Sequence, residues 1–131
     1  MAEVARLYSS GVGLKDLRRR LSKGTDEIHN ERLRARYCVV DATPIGDASE
    51  RASVRLAGEV QRLHTVPRSG VPALEVVVSD GTGEVVAVFT GRRSMGGLDH
   101  GRGVVLEGVT HREHGRLVVV NPAYTLLPRE S

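Results

Sequence analysis

The chain has 131 residues, a formal charge of +3 and one cysteine, and 27% of it is charged, which suits one domain with one modest core. No apolar run is long enough to cross a bilayer, and Met1-Ala2-Glu3-Val4-Ala5-Arg6 lacks the basic-then-apolar order of a signal peptide, so no membrane partner is expected. Cys38 has no second cysteine to pair with, which fits a cytoplasmic protein.

Charge is unevenly distributed. Residues 1–36 carry nine Lys/Arg against five acids, and the rest of the chain carries ten Arg against eleven acids. The positive excess is therefore N-terminal. Such asymmetry is the mark of a basic arm meeting a polyanion, and equally of a solubilising helix face.

Met1 to Gly13 has little periodicity and a Ser9-Ser10-Gly11-Val12-Gly13 tract, so a disordered N-terminus is expected over residues 1–13. Residues 14–53 read as a basic helical arm and linker. Leu14, Leu17 and Leu21 share one face of a short helix that Gly24 would stop. Thr25 would cap a second helix, with Asp26 and Glu27 at its positive end and Leu33 and Tyr37 as an i, i+4 apolar pair. That helix is expected to reach Val39 or Val40, and Asp41 to Ser53 then reads as linker. One or two short basic helices are thus expected ahead of the next region.

Five β-runs follow within a domain expected over 54–128. They are Val54–Val66, Ala73–Ser79, Glu84–Thr90, Gly103–His111 and Arg116–Leu126. Gly58 falls where the first run must bend. Pro67-Arg68-Ser69-Gly70-Val71-Pro72 reads as a connection kept out of the ladder by its prolines. Asp80-Gly81-Thr82-Gly83 is a strong hairpin signal. Gly91 to Arg102 is a longer connection with four glycines, too many for a long helix. His114-Gly115 marks the last hairpin, and Asn121-Pro122 interrupts the fifth run, leaving its later half as an edge or a departing tail. Five strands in this order predict a mainly β chain, a five-stranded Greek-key OB-fold barrel.

The Asp80–Gly83 turn fixes a register. Ser79 should pair Glu84, Val77 Val86, Glu75 Val88 and Leu74 Phe89. Leu74, Val76, Val78, Val85, Ala87 and Phe89 then share the core face. Val77, Val86 and Val88 fall outside it with two acids and no aromatic. This argues against base stacking there, and it leaves a small apolar patch for the N-terminal helices or a protein partner to cover.

Phosphate contacts are expected from arginines. Arg68, Arg112 and Arg116 lie on the two hairpin connections that OB-folds use, and Arg92 and Arg93 follow the third strand at the rim. With Lys15, Arg18, Arg19 and Arg20 they form a set suited to binding DNA or RNA through its backbone, with low sequence specificity. The alternative is a protein-interaction adaptor acting through Val77, Val86 and Val88. His111 and His114 flank a turn without the further ligands a metal needs. No nucleophile–base pair is identifiable from spacing, so a non-catalytic protein without metal or cofactor is expected.

Leu74–Gly83, Val88-Phe89, Leu106-Glu107-Gly108-Val109 and Asn121-Pro122-Ala123-Tyr124 together resemble the OB domains related to the wedge domain of RecG-type branch-migration helicases. With Ala42-Thr43-Pro44-Ile45 and Gly91-Arg92-Arg93, residues 14–128 are similar to small actinobacterial OB-fold nucleic-acid-binding proteins. The resemblance implies nucleic-acid binding without a motor, since the chain has no phosphate loop.

Overall fold

Residues 14–129 are described by a computed structural model, with side chains from residue 24 onward. The N-terminal tract expected to be disordered lies outside the described residues.

The valine-rich runs become strands because β-branched side chains pack well on a pleated surface. Among the described residues there are six: β1 (Ser53–Arg68), β2 (Val71–Ser79), β3 (Glu84–Thr90), β4 (Gly103–Glu113), β5 (Arg116–Val120) and β6 (Ala123–Leu126). Their order is β1-β2-β3-β5-β4-β6, with β1 also pairing β4, so β1 to β5 close on themselves. Of these strands, β3 and β5 pair in parallel and the other pairs are antiparallel. This is the five-stranded OB barrel, with β6 continuing the line of β5 along the same edge of β4.

Closure depends on β1 serving two neighbours. Its first half, Ser53–Glu59, pairs β4, and its second half, Glu59–Arg68, pairs β2. Gly58 sits at this corner, where a Cβ would lie 2.7 Å from the Ser79 carbonyl oxygen, so any larger residue would push the strands apart. A bulge between Val60 and Arg62 adds to the bend.

The β2–β3 register follows the turn as expected, from Ser79 opposite Glu84 to Leu74 opposite Phe89. Leu74, Val76, Val78, Val85, Ala87 and Phe89 are all in the main core with Leu56, Val60, Leu106 and Val119. Burying each large aliphatic contributes about 1.5–3 kcal/mol.

The β1–β2 connection is tighter than expected. Strands run through both prolines, Pro67 faces Pro72, and Ser69-Gly70 alone forms the turn. Arg68 and Val71 flank this two-residue turn, so Pro67 and Pro72 occupy the next, non-hydrogen-bonded pair, where no N–H is required.

The two short helices are one, α1 (Leu14–Tyr37). Gly24 lies inside it and does not stop it. An interior glycine costs only about 1 kcal/mol, and Leu21, Lys23 and Glu27 within a turn of it are good helix formers. Helix α1 ends at Tyr37, short of Val39, in a turn where the Cys38 N–H reaches the Arg34 carbonyl at 2.9 Å. Leu33 and Tyr37 are buried against Ala57 and Val105, a directly paired couple on the outside of β1 and β4.

Residues 41–53 form a fastened strap. Ile45 opens a short 3-10 turn and is buried in the barrel core. Its N–H donates to Asp80 Oδ2 at 3.0 Å, and the Gly46 N–H donates to Thr82 Oγ1 at 2.9 Å. Thr110 Oγ1 holds the far end by donating to the Ser49 carbonyl at 2.6 Å.

Candidate nucleic-acid interface

The barrel presents the outer face of β2, β3 and β5 between two hairpins, β1–β2 and β4–β5. Val77, Val86, Val88 and Val118 form its floor with Ala73. The first three were expected to be an exposed patch, but they are only 1–3% exposed. Among the apolar side chains described on α1, Leu33 and Tyr37 pack on Ala57 and Val105 instead, and Ile28 is exposed. Long charged side chains, whose stems can shield apolar surface, border them: Arg62, Glu84, Arg112 and Arg116 line one cavity with Val77 and Val86. The adaptor reading, which needed these valines at the surface, is therefore corrected.

Charged side chains of this face form an ionic network. Arg68, the last residue of β1, grips Glu113, the last of β4, with both guanidinium nitrogens. His111 Nε2 lies 3.0 Å from the same Glu113 carboxylate. Hydrogen bonds from Arg68 and then from His111 hold the Glu113 carboxyl down at about 2. Beneath them Glu75 is buried at 7% exposure. Its Oε1 is 3.1 Å from His64 Nε2 and 3.5 Å from Arg116 Nη2. Glu75 also acts electrostatically on Arg68, so the two carboxylates and their four basic neighbours form one cluster.

The arginines expected to contact phosphate divide into three groups. Arg68 and Arg116 converge on this face, each on a carboxylate. Arg112 lies within β4 with its Nε 2.9 Å from Glu50, and lines a cavity with Arg116, Val77 and Val86 at the edge of this face. Expected on the hairpin connections, all three are instead strand residues with ion-pair partners, because the strands run up to two-residue turns; Arg112 and Arg116 are still about half exposed. Arg92 and Arg93 are exposed on the β3–β4 connection, with no ion pair among the described residues. Arg92 lines an open cavity of 630 Å³ with Thr90, Asn121 and Tyr124, away from the hairpin face. Lys15, Arg18, Arg19 and Arg20 are on α1, but their side chains lie outside those described.

Aromatic platforms are absent from the described hairpin face. Phe89 is in the core, edge-on to Tyr124 with ring centroids 5.6 Å apart. Tyr37 is buried under α1, where it donates to Glu59 at 3.3 Å.

Sequence reasoning missed a second cluster, centred on Glu59. This buried carboxylate receives Arg36 at 2.7 Å and Arg32 at 3.1 Å in addition to Tyr37. Burial pushes the Glu59 carboxyl up, but the Arg32 hydrogen bond and the charges of Arg32 and Arg36 outweigh it, so the net shift is downward. Burial, then the charge of Glu59, raise the Tyr37 hydroxyl well above its ordinary value. The cluster fixes the C-terminal half of α1 to the barrel. Its only signal in the sequence was a lone glutamate between Gly58 and Val60 in an otherwise apolar stretch.

No family model matches the chain, and no curated protein matches it. Among solved structures, it is similar to the OB domain of Ta0387 from Thermoplasma acidophilum, determined in solution by NMR. That similarity covers 68% of this chain and 89% of the other, with a TM-score of 0.53 and 14% identity. At that identity the likeness establishes the OB fold and nothing about a ligand.

Proposed function

We propose that this protein binds nucleic acid without catalysing a reaction, mainly through the phosphate backbone and with low sequence specificity. The observation that carries the reading is the anchoring of α1. The helix bearing Lys15, Arg18, Arg19 and Arg20 is continuous with the segment held to an OB barrel by Glu59, Leu33 and Tyr37. A basic element is thereby attached to a fold that commonly takes oligonucleotides. Exposed Arg92 and Arg93 supply further positive charge. The lack of aromatics on the hairpin face among the described residues favours phosphate over base contacts. The resemblance to actinobacterial OB proteins and RecG-type wedge domains supports the same reading, as the lone cysteine supports a cytoplasmic setting.

The test is a fluorescence-anisotropy titration of labelled single-stranded DNA, single-stranded RNA and duplex at low and near-physiological salt. Binding should weaken as salt rises, with a slope proportional to the phosphates neutralised. Changing Arg18, Arg19 and Arg20 together to alanine should weaken it on every probe and flatten that slope. Failure of all three probes at low salt would remove nucleic-acid binding as the role.

A further inference from the structure

The bridge between Arg68 and Glu113 is unusual for its position. In the sheet order β1-β2-β3-β5-β4, three strands separate these residues. At ordinary strand spacing that is about 19 Å along a flat sheet, beyond the reach of two side chains. The pair forms only because the sheet coils until the two hairpin arms meet above β2, β3 and β5. The bridge therefore spans the valine floor as a clasp. Its bidentate geometry is the one an arginine uses for a phosphate.

The surrounding groups fit the same description. Arg116 and His64 both approach Glu75 Oε1, and His111 approaches Glu113. Four basic side chains thus converge on two carboxylates of this chain. An anion site with those carboxylates removed would hold a phosphodiester; with them present it is filled from within.

We propose that Glu113 is an internal competitor for phosphate: its carboxylate occupies the Arg68 fork and clasps the hairpin arms, and a nucleic-acid phosphodiester binds on this face by displacing it. This rests on the nucleic-acid reading above. Ligand entry breaks one ion pair and makes another, so the face holds a strand only when the remaining contacts, from α1 among others, favour it. Glu113 thereby sets the threshold at which the barrel engages a strand that the basic helix already holds.

The test is Glu113→Gln, which keeps the size of the side chain and removes its charge. In anisotropy titrations with a labelled single-stranded oligonucleotide, this variant should bind about fivefold more tightly than the parent, the equivalent of about 1 kcal/mol. Arg68→Ala should bind more weakly than the parent. Adding Glu113→Gln to Arg68→Ala should restore nothing, because the fork it frees is gone. An equal gain with and without Arg68 would overturn the proposal by reducing it to a general charge effect. In the unmodified protein, the Arg68 Nε–H resonance should move as oligonucleotide is added; a resonance that stays fixed while binding proceeds would overturn the proposal even if the variants fold poorly. If the parent binds and Glu113→Gln binds no better, the clasp fails and nucleic-acid binding stands. If neither binds at low salt, both fail.

Discussion

Glu59 and Gly81 show how single positions hold the helix and barrel together. Truncating Glu59 would leave Arg36, Arg32 and the Tyr37 hydroxyl facing a site without its carboxylate. One partner, Arg32, is half exposed and rehydrates, so Glu59→Ala should cost about 2 kcal/mol, below the range for fully buried pairs. A urea titration followed by circular dichroism reads this directly, and an unchanged midpoint would refute it. Gly81 has φ of +88°, and a Cβ there would run into the carbonyl oxygen of Asn30 on α1. Gly81→Ala should therefore lower the melting temperature through both backbone strain and helix displacement, by an amount equivalent to about 2 kcal/mol. The turn itself was legible as Asp80-Gly81-Thr82-Gly83, but the helix pressed against it was not. Nothing local connects Asn30 to a glycine fifty-one positions later.

At the scale of elements, the β2–β3 pair could be read completely because one turn set its register and a slip would have turned Phe89 outward. The outer face of the same pair was misread. Alternation says which side chains point away from the core, but not what lies over them. Arg68 and Glu113 are 45 residues apart, and only the coiling of the sheet brings them above Val77, Val86 and Val88. Helix α1 was misread at Gly24 for the opposite reason. Local stop and start signals were genuine, but weaker than the preference of their neighbours for continuing the helix. Docking of α1 rests on Leu33, fully buried. Leu33→Ala should destabilise the protein by about 3 kcal/mol. The more polar Leu33→Asp should release the helix while leaving the barrel closed, visible as lost amide protection near Leu33 with protection retained in β2 and β3. Loss of protection in both would mean that helix and barrel unfold as one unit.

For the molecule as a whole, acid is the informative perturbation. Glu113 and Glu59 both have carboxyl groups held below their ordinary value in the folded state, Glu113 at about 2. Groups lowered in this way stabilise the fold at pH above their unfolded value, near 4.5, and lose that contribution as pH falls through the folded value. Stability should thus decline between about pH 4.5 and 2. Solvent at the rim of the clasp screens the Glu113 share to about 1 kcal/mol. Urea midpoints measured across this range should fall, and Glu113→Gln should show a shallower fall than the parent. Equal slopes would mean that the clasp adds nothing to stability.

The divided pairing of β1 has a kinetic consequence. Its second half meets β2 through a two-residue turn, and β2 meets β3 almost as directly, so this meander can form from neighbouring chain. The first half has no partner until Gly103–Val109 arrives, about fifty residues later along the chain. Closure therefore carries most of the loop entropy and should come late in folding. Until then Ser53–Glu59 is an open strand edge, the kind that recruits other chains. A fragment ending before Gly103 keeps the meander but never gains the closing strand. It should aggregate during refolding at concentrations where the whole chain stays monomeric, as light scattering would record.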